Sequence, residues 1–212
     1  MRNILFWDVD TQYDFMRADG KLYVPEAEKI IPTLDKITKY ARNNKIPIWG
    51  SVDYHDPDDP EISDDPDFYD TFPLHCLKDT PGQEKIEATK PLNPLWIDSR
   101  PEAKSTLEQK IKHHQGEVIF RKQRFDVFTN PNVIPALDII KPDEVYVYGV
   151  ALDVCNAFAI EGFLKMDQFK ISLISDATKP IHKDRGDSLI KKWEAAGVRM
   201  MESDAILSRT FK

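Results

Sequence analysis

Cys155 follows the stretch Gly149-Val150-Ala151-Leu152-Asp153-Val154, where a strand-like apolar run gives way to a helical one. A sulfur at a helix start feels the positive end of the dipole, which lowers a thiol pKa, and a neighbouring ammonium lowers it further. Free amides in the turn from Ala151 to Val154 can also receive a developing oxyanion. The ordinary reading of a lone cysteine is a small buried hydrophobe. Lys122 comes after Val118-Ile119-Phe120, so the chain around it is expected to be buried, although most lysines are solvated. Asp10 ends the first apolar run, with Asp8 and Asp14 as competitors. Asp8 and Asp10 share a face of an extended strand, so periodicity does not choose between them.

Asp53-x-His55 on an extended segment puts a carboxylate and an imidazole on one face. That pair suits Zn, Fe or Mn, and a three-ligand site leaves positions open for a substrate. Spacing does not select the third ligand, for which His75, His113, His114 and His182 are all candidates. The stretch 56–70 carries eight carboxylates (Asp56, Asp58, Asp59, Glu61, Asp64, Asp65, Asp67 and Asp70). It lacks the sixth-position glycine and spaced acceptors of an EF-hand, so it reads as a solvated lid or rim.

These residues need a scaffold that brings them together. Residues 4–9, 46–52, 117–121, 144–150, 170–175 and 198–200 read as strands. Residues 25–42, 102–114, 131–140, 154–166, 182–196 and 203–211 read as helices, with Asn130 as N-cap and Pro131 at the first position of the third, Gly116 as the stop of the second, and Ser203 as the cap of the last. Residues 56–95 show no sustained period, and a loop of that length inside a compact domain is usually functional or disordered. Alternating strands and helices imply right-handed crossovers and a three-layer α/β/α fold with a mainly parallel sheet, Rossmann-like in plan. In such a sheet ligands bind beyond the carboxyl ends of the strands, where Asp10, Asp53, His55, Lys122 and Cys155 all fall.

The length of 212 residues suits one domain spanning 1–212. Hydrophobic residues at 41% and charged residues at 31% fit a globular protein, and a net charge of −7 argues against a nucleic-acid surface. Two cysteines are too few for a disulfide framework, which points to a reducing compartment. The acidic, short opening run does not read as a signal peptide, and no stretch approaches a membrane span, so a cytoplasmic location without a membrane partner is expected.

Several blocks together resemble the isochorismatase-like cysteine hydrolases, and within them the nicotinamidases. Val9-Asp10-Thr11-Gln12-Tyr13-Asp14-Phe15 is similar to the Asp-x-Gln-Asn-Asp-Phe opening of that superfamily. Asp53-Tyr54-His55 resembles Asp-Trp-His, and Phe72-Pro73-Leu74-His75-Cys76 resembles Trp-Pro-x-His-Cys. Lys122 to Phe128 is similar to Lys-x-x-x-Ser-Ala-Phe, and Gly149 to Cys155 to Gly-Val-Ala-Thr-Asp-x-Cys. The resemblance implies Asp10, Lys122 and Cys155 as a catalytic triad, a cis Val150–Ala151 peptide, and an oxyanion hole from the Ala151 and Cys155 amides. It implies a divalent metal on Asp53, His55 and His75, zinc first with iron or manganese as alternatives. It also implies a substrate pocket around Phe15, Tyr54 and Val150. The activity implied is hydrolysis of a small amide, nicotinamide first, through a Cys thioester. Other readings are a superfamily hydrolase of a different amide, ureido acid or vinyl ether, and a catalytically silent binding member. Related proteins are commonly dimers or tetramers, so a homo-oligomer is expected. Tyr54 in place of Trp, Asp56-Pro57 in place of an immediate Pro, and Asp126 in place of a small Ser depart from the family pattern and bear on the substrate.

Overall fold

The computed structural model of the chain describes residues 3–209. Seven strands form one sheet: β1 (Ile4–Val9), β2 (Ile48–Asp53), β3 (Leu95–Ile97), β4 (Val118–Lys122), β5 (Glu144–Val150), β6 (Lys170–Lys179) and β7 (Arg199–Met201). Their order is β3-β4-β2-β1-β5-β6-β7, and every pairing is parallel. The helices are α1 (Tyr13–Met16), α2 (Ile31–Asn43), α3 (Lys104–His113), α4 (Val133–Ile140), α5 (Cys155–Met166), α6 (Lys183–Ala195) and α7 (Ser203–Leu207). Among the described residues no helix is long and apolar enough to cross a membrane.

All six residues of β1 and all seven of β5 are buried, as central strands covered on both faces require. Alternation along β1 feeds two cores. Leu5, Trp7 and Val9 pack with Leu107, Leu137, Phe163 and Trp193 from α3 to α6. Ile4 and Phe6 pack on the other face with Leu34 and Ile37 of α2 and Ile206 of α7. Trp7 is fully enclosed, its ring edge-on to Phe163 at 5.1 Å and stacked near Phe120 at 5.6 Å. These two cores hold the carboxyl ends of β1, β2, β4 and β5 at one rim.

The element boundaries depart from the sequence reading in instructive places. The helix expected over 25–42 splits into a 3-10 turn, Ala27–Ile30, and α2, because Pro32 belongs in a first helical turn and disfavours a helix running through it. Helix α4 starts at Val133 with Asn132 as its cap, while Asn130 Oδ1 accepts the Asn132 N–H at 3.0 Å one turn earlier, so Pro131 lies outside the helix. α3 ends at His113, ahead of Gly116. Ser203 is the first residue of α7; its N–H and hydroxyl both donate to the Asp176 carboxylate on β6. The helix ends at Leu207, short of the expected Phe211, and residues 210–212 lie outside the described residues. The edge strand β3, missing from the sequence reading, starts at the last residue of the stretch read as loop and has only three residues, too short to show a period.

Candidate active site

Asp53 ends β2 opposite Lys122 at the end of β4, so strand register alone sets these two side by side. Asp10 follows β1 in the left-handed region at φ 45°, and its N–H donates to the Ser51 carbonyl of β2 at 3.2 Å. Cys155 is the first residue of α5, reached from β5 through the cis Val150–Ala151 peptide. The Lys122 ammonium, fully buried, is the meeting point. It stands 2.9 Å from Asp10 Oδ2 and 3.7 Å from Cys155 Sγ, and it also pairs with Asp53 Oδ1. Among the described residues, neither the Ala151 nor the Cys155 amide is engaged in a turn, cap or side-chain hydrogen bond.

The electrostatics follow from burial around one cation. Burial works against the Lys122 charge, but Asp10 and Asp53 outweigh it and push its pKa well above the usual lysine range. Burial alone would raise Asp53, yet Lys122, His75 and His55 together hold its carboxyl below the ordinary carboxylate range. Asp10 moves the other way: burial raises its pKa, Lys122 offsets only part of that, and the Asp53 charge adds to the rise. Burial also pushes the Cys155 thiol up, with Lys122 lowering it less than burial raises it. Burial thus opposes the lowering expected from the helix-start position, and the Asp10 and Asp53 charges add to the rise. A raised carboxyl beside a raised thiol is a better matched base for it than an ordinary aspartate.

A second group adjoins the first. Ligand atoms of Asp53, His55, Glu61 and His75 all lie within 4.8 Å of one another. His75 Nε2 is 3.6 Å from Asp53 Oδ2 and 3.8 Å from Glu61 Oε1; His55 Nε2 is 4.0 Å and 3.9 Å from the same two atoms. Both Nε2 atoms are buried without a hydrogen-bond partner. Both Nδ1 atoms are occupied, His55 by Asp59 Oδ2 at 3.2 Å and His75 by the Pro73 carbonyl at 2.8 Å. Outer partners that fix the rings and leave Nε2 facing inward are what a metal-ligating histidine needs. Burial, more than its charged neighbours, lowers the His55 pKa and favours the neutral imidazole that binds metal. The donor set fits a divalent ion of the zinc, iron or manganese kind.

Glu61 is a correction to the reading of 56–70 as a solvated rim. It is 1% exposed and faces the two histidines, and its carboxyl is pushed up to about 9 by burial and then by the Asp53 charge. His113 is exposed on α3 and, like His114 and His182, lies outside the donor group. Gln12 was also missed as a positioning side chain: its Oε1 accepts the Asp53 N–H at 2.7 Å and its Nε2 donates to the Asp53 carbonyl at 2.8 Å.

Between the two groups lies a small cavity. Phe15, Leu22, Phe72, Phe125, Val154 and Ile181 supply its apolar wall, and Asp53, Glu61, His75 and Cys155 its polar end. Phe15 lines it as expected, but Tyr54 and Val150 do not. Alternation at the end of β2 turns Tyr54 away from Asp53 and His55, and its ring stacks under the Arg121 guanidinium at 4.1 Å. Val150 is fully buried in the core that includes α2. Phe72 and Phe125, edge-to-face at 5.3 Å, occupy the wall instead.

A thiol, a carboxylate and an ammonium thus meet at the carboxyl-end rim of a parallel α/β sheet, where ligands of such folds bind. The isochorismatase domain model matches residues 5–205, and the chain belongs to the isochorismatase family of hydrolases. No curated protein sequence matches it. Among solved structures it is similar to a nicotinamidase/pyrazinamidase from Bacillus subtilis, at 20% identity and TM-score 0.72, covering 95% of this chain and 100% of that one. A Pyrococcus horikoshii pyrazinamidase in complex with zinc matches at 23% and 0.73, covering 94% and 99%. An N-carbamoylsarcosine amidase from Thermoplasma acidophilum matches at 23% and 0.69, covering 96% and 98%. At these identities the structural likeness speaks for the fold.

Proposed function

We propose that the chain is a metal-containing cysteine amidohydrolase acting on a small, uncharged, flat amide, with nicotinamide the first candidate. The observation that carries this reading is Lys122, whose ammonium touches both Asp10 and the Cys155 sulfur at one end of a cavity. Asp53, His55, Glu61 and His75 would hold the ion, with zinc first among those the donors suit. When bound, it would act as a Lewis acid toward a lone-pair donor on the substrate, which these four donors admit only if the ion takes more than four ligands. Apolar and aromatic walls favour a ring, and among the described residues no arginine or lysine lines the cavity to receive a substrate carboxylate. This argues against the ureido acids.

In the proposed reaction Asp10 takes the proton from Cys155 Sγ as the sulfur attacks the amide carbonyl. The Lys122 charge steadies the developing thiolate, and the Ala151 and Cys155 amides receive the oxyanion. Asp10 returns the proton to the departing nitrogen, which leaves as ammonia and a thioester remains. Asp10 then deprotonates a water that cleaves the thioester, giving the acid and restoring the thiol. The test is ammonia release from nicotinamide, with and without a chelator, for the native chain and Cys155→Ala. Release that disappears in a folded Cys155→Ala supports the reading; turnover surviving that substitution, or no release from nicotinamide and a panel of other amides, sinks it.

A further inference from the structure

A second buried charge pair lies beneath the site, on the α2 side of the sheet, and the proposed reaction makes no use of it. Asp8 sits on β1 in line with Ile4 and Phe6, both buried apolar residues, yet it is only 2% exposed. Gly50 on β2 makes room for it, since a Cβ there would collide with the Asp8 carbonyl and press on its side chain. Lys85, from the segment after the 3-10 turn Pro81–Gln83, brings a fully buried ammonium to 3.1 Å from Asp8 Oδ2. None of these residues lines the cavity.

The pair converges on Thr11. The Thr11 hydroxyl is 2.9 Å from Asp8 Oδ1, receives Lys85 Nζ at 3.2 Å, and is 2.7 Å from the Thr89 hydroxyl. The Thr11 carbonyl accepts the Ile86 N–H at 2.9 Å. Thr11 is thus gripped at side chain and backbone, and it directly follows Asp10, whose left-handed φ of 45° turns its side chain toward Lys122. A buried ion pair is a poor means of gaining stability, because apolar replacements of similar volume usually serve as well. What this pair adds is direction at a single hydroxyl.

We propose that Lys85 is a positioning residue: paired with Asp8, it locks Thr11 and thereby the turn that aims Asp10 at Lys122 and Cys155. The inference rests on the roles given above to those three residues. Lys85 touches neither the cavity nor the sulfur; it acts through the backbone under the base.

The experiment compares Lys85→Met, Thr11→Val and the double variant Asp8→Asn/Lys85→Met in the full, metal-loaded chain. Two readouts are taken: kcat and KM for ammonia release, and the pH profile of Cys155 alkylation by iodoacetamide, followed by mass spectrometry. Misaiming a base should lower kcat on the order of tenfold to a hundredfold. KM should stay within about twofold, since substrate contacts are untouched. The alkylation profile should shift in both single variants. The double variant keeps an acceptor for Thr11 without leaving a lone buried carboxylate, and should recover most of both readouts. A folded Lys85→Met with native kcat and alkylation profile overturns the proposal, as does a double variant no better than it. If Lys85→Met does not fold, Thr11→Val decides: native behaviour there overturns the proposal. If the native chain releases no ammonia from any amide, the amidase reading fails while the alkylation profiles still judge Lys85.

Discussion

Glu61 and His75, fourteen residues apart in the long segment after β2, bring a carboxyl oxygen and an imidazole nitrogen to 3.8 Å, and His75 Nε2 has no hydrogen-bond partner. His75 has its Nδ1 on the Pro73 carbonyl and Glu61 is enclosed, so a divalent ion that displaces the Glu61 proton would satisfy both groups. Elemental analysis of purified protein should therefore show about one divalent ion per chain, in keeping with one four-donor group. Glu61→Gln should weaken retention of that ion at least about tenfold, and His75→Ala should abolish it. Full metal content in Glu61→Gln would return Glu61 to the role of a buried acid without a ligand's duty.

Lys122 neutralises Asp10 and Asp53 in the interior. Lys122→Met strands both charges, and removing one partner of a buried ionic group typically costs about 3–5 kcal/mol. Denaturant unfolding should register a loss of that size, while Lys122→Arg, which keeps the charge, should lose less. A Lys122→Met chain as stable as the native one would contradict the geometry.

Phe125 stands at the cavity wall, ring to ring with Phe72 on one side and Phe158 on the other. Its truncation to Ala removes aromatic surface from the substrate's neighbourhood without touching Asp10, Lys122 or Cys155. The expected result is KM raised roughly tenfold, corresponding to about 1.4 kcal/mol of lost contact, with kcat little changed. A collapse of kcat at unchanged KM would place Phe125 in the chemistry instead.

The exposed turn 67–71 supplies a pH prediction at a carboxylate outside the ion-binding group. Asp67 Oδ1 accepts the N–H groups of Tyr69, Asp70 and Thr71, each at 2.9 Å, and these bonds hold its pKa at about 2. A carboxyl depressed by folding contributes order that is complete above its unfolded value of about 3.9 and is lost as pH falls through its folded one. An NMR titration should therefore find the Asp67 midpoint near 2, and Asp67→Ala should speed proteolysis of this turn at neutral pH. A midpoint near 4 would mean the three amides are not bound in solution.

Much of the plan could be read from the chain because buried parallel strands leave a strong mark. Ile4–Val9 and Glu144–Val150 show long apolar runs, and their ends point to Asp10 and Cys155. Glu61 escaped because one inward carboxylate among eight acidic residues leaves no trace in composition or period. β3 escaped because three residues cannot display alternation. Tyr54 is a different case: the alternation that pairs Asp53 with His55 also turns the residue between them outward, so its place was legible and resemblance to a pocket motif overrode it. The choice of His75 over His113, His114 and His182 came from resemblance alone, since a loop carries no periodicity from which to deduce its path.

Asp53 is a wall shared by two chambers. One of its oxygens answers to Lys122, and through it to the sulfur; the other faces His75 from 3.6 Å. Anything that draws negative charge toward the histidines leaves less for the ammonium, so the nucleophile and the ion-binding group are tuned by one carboxylate and cannot be adjusted independently. Chelation will then alter the temper of the thiol as well as emptying a ligand position, and the influence must run equally in reverse, with alkylation of the sulfur changing how tightly an ion is held.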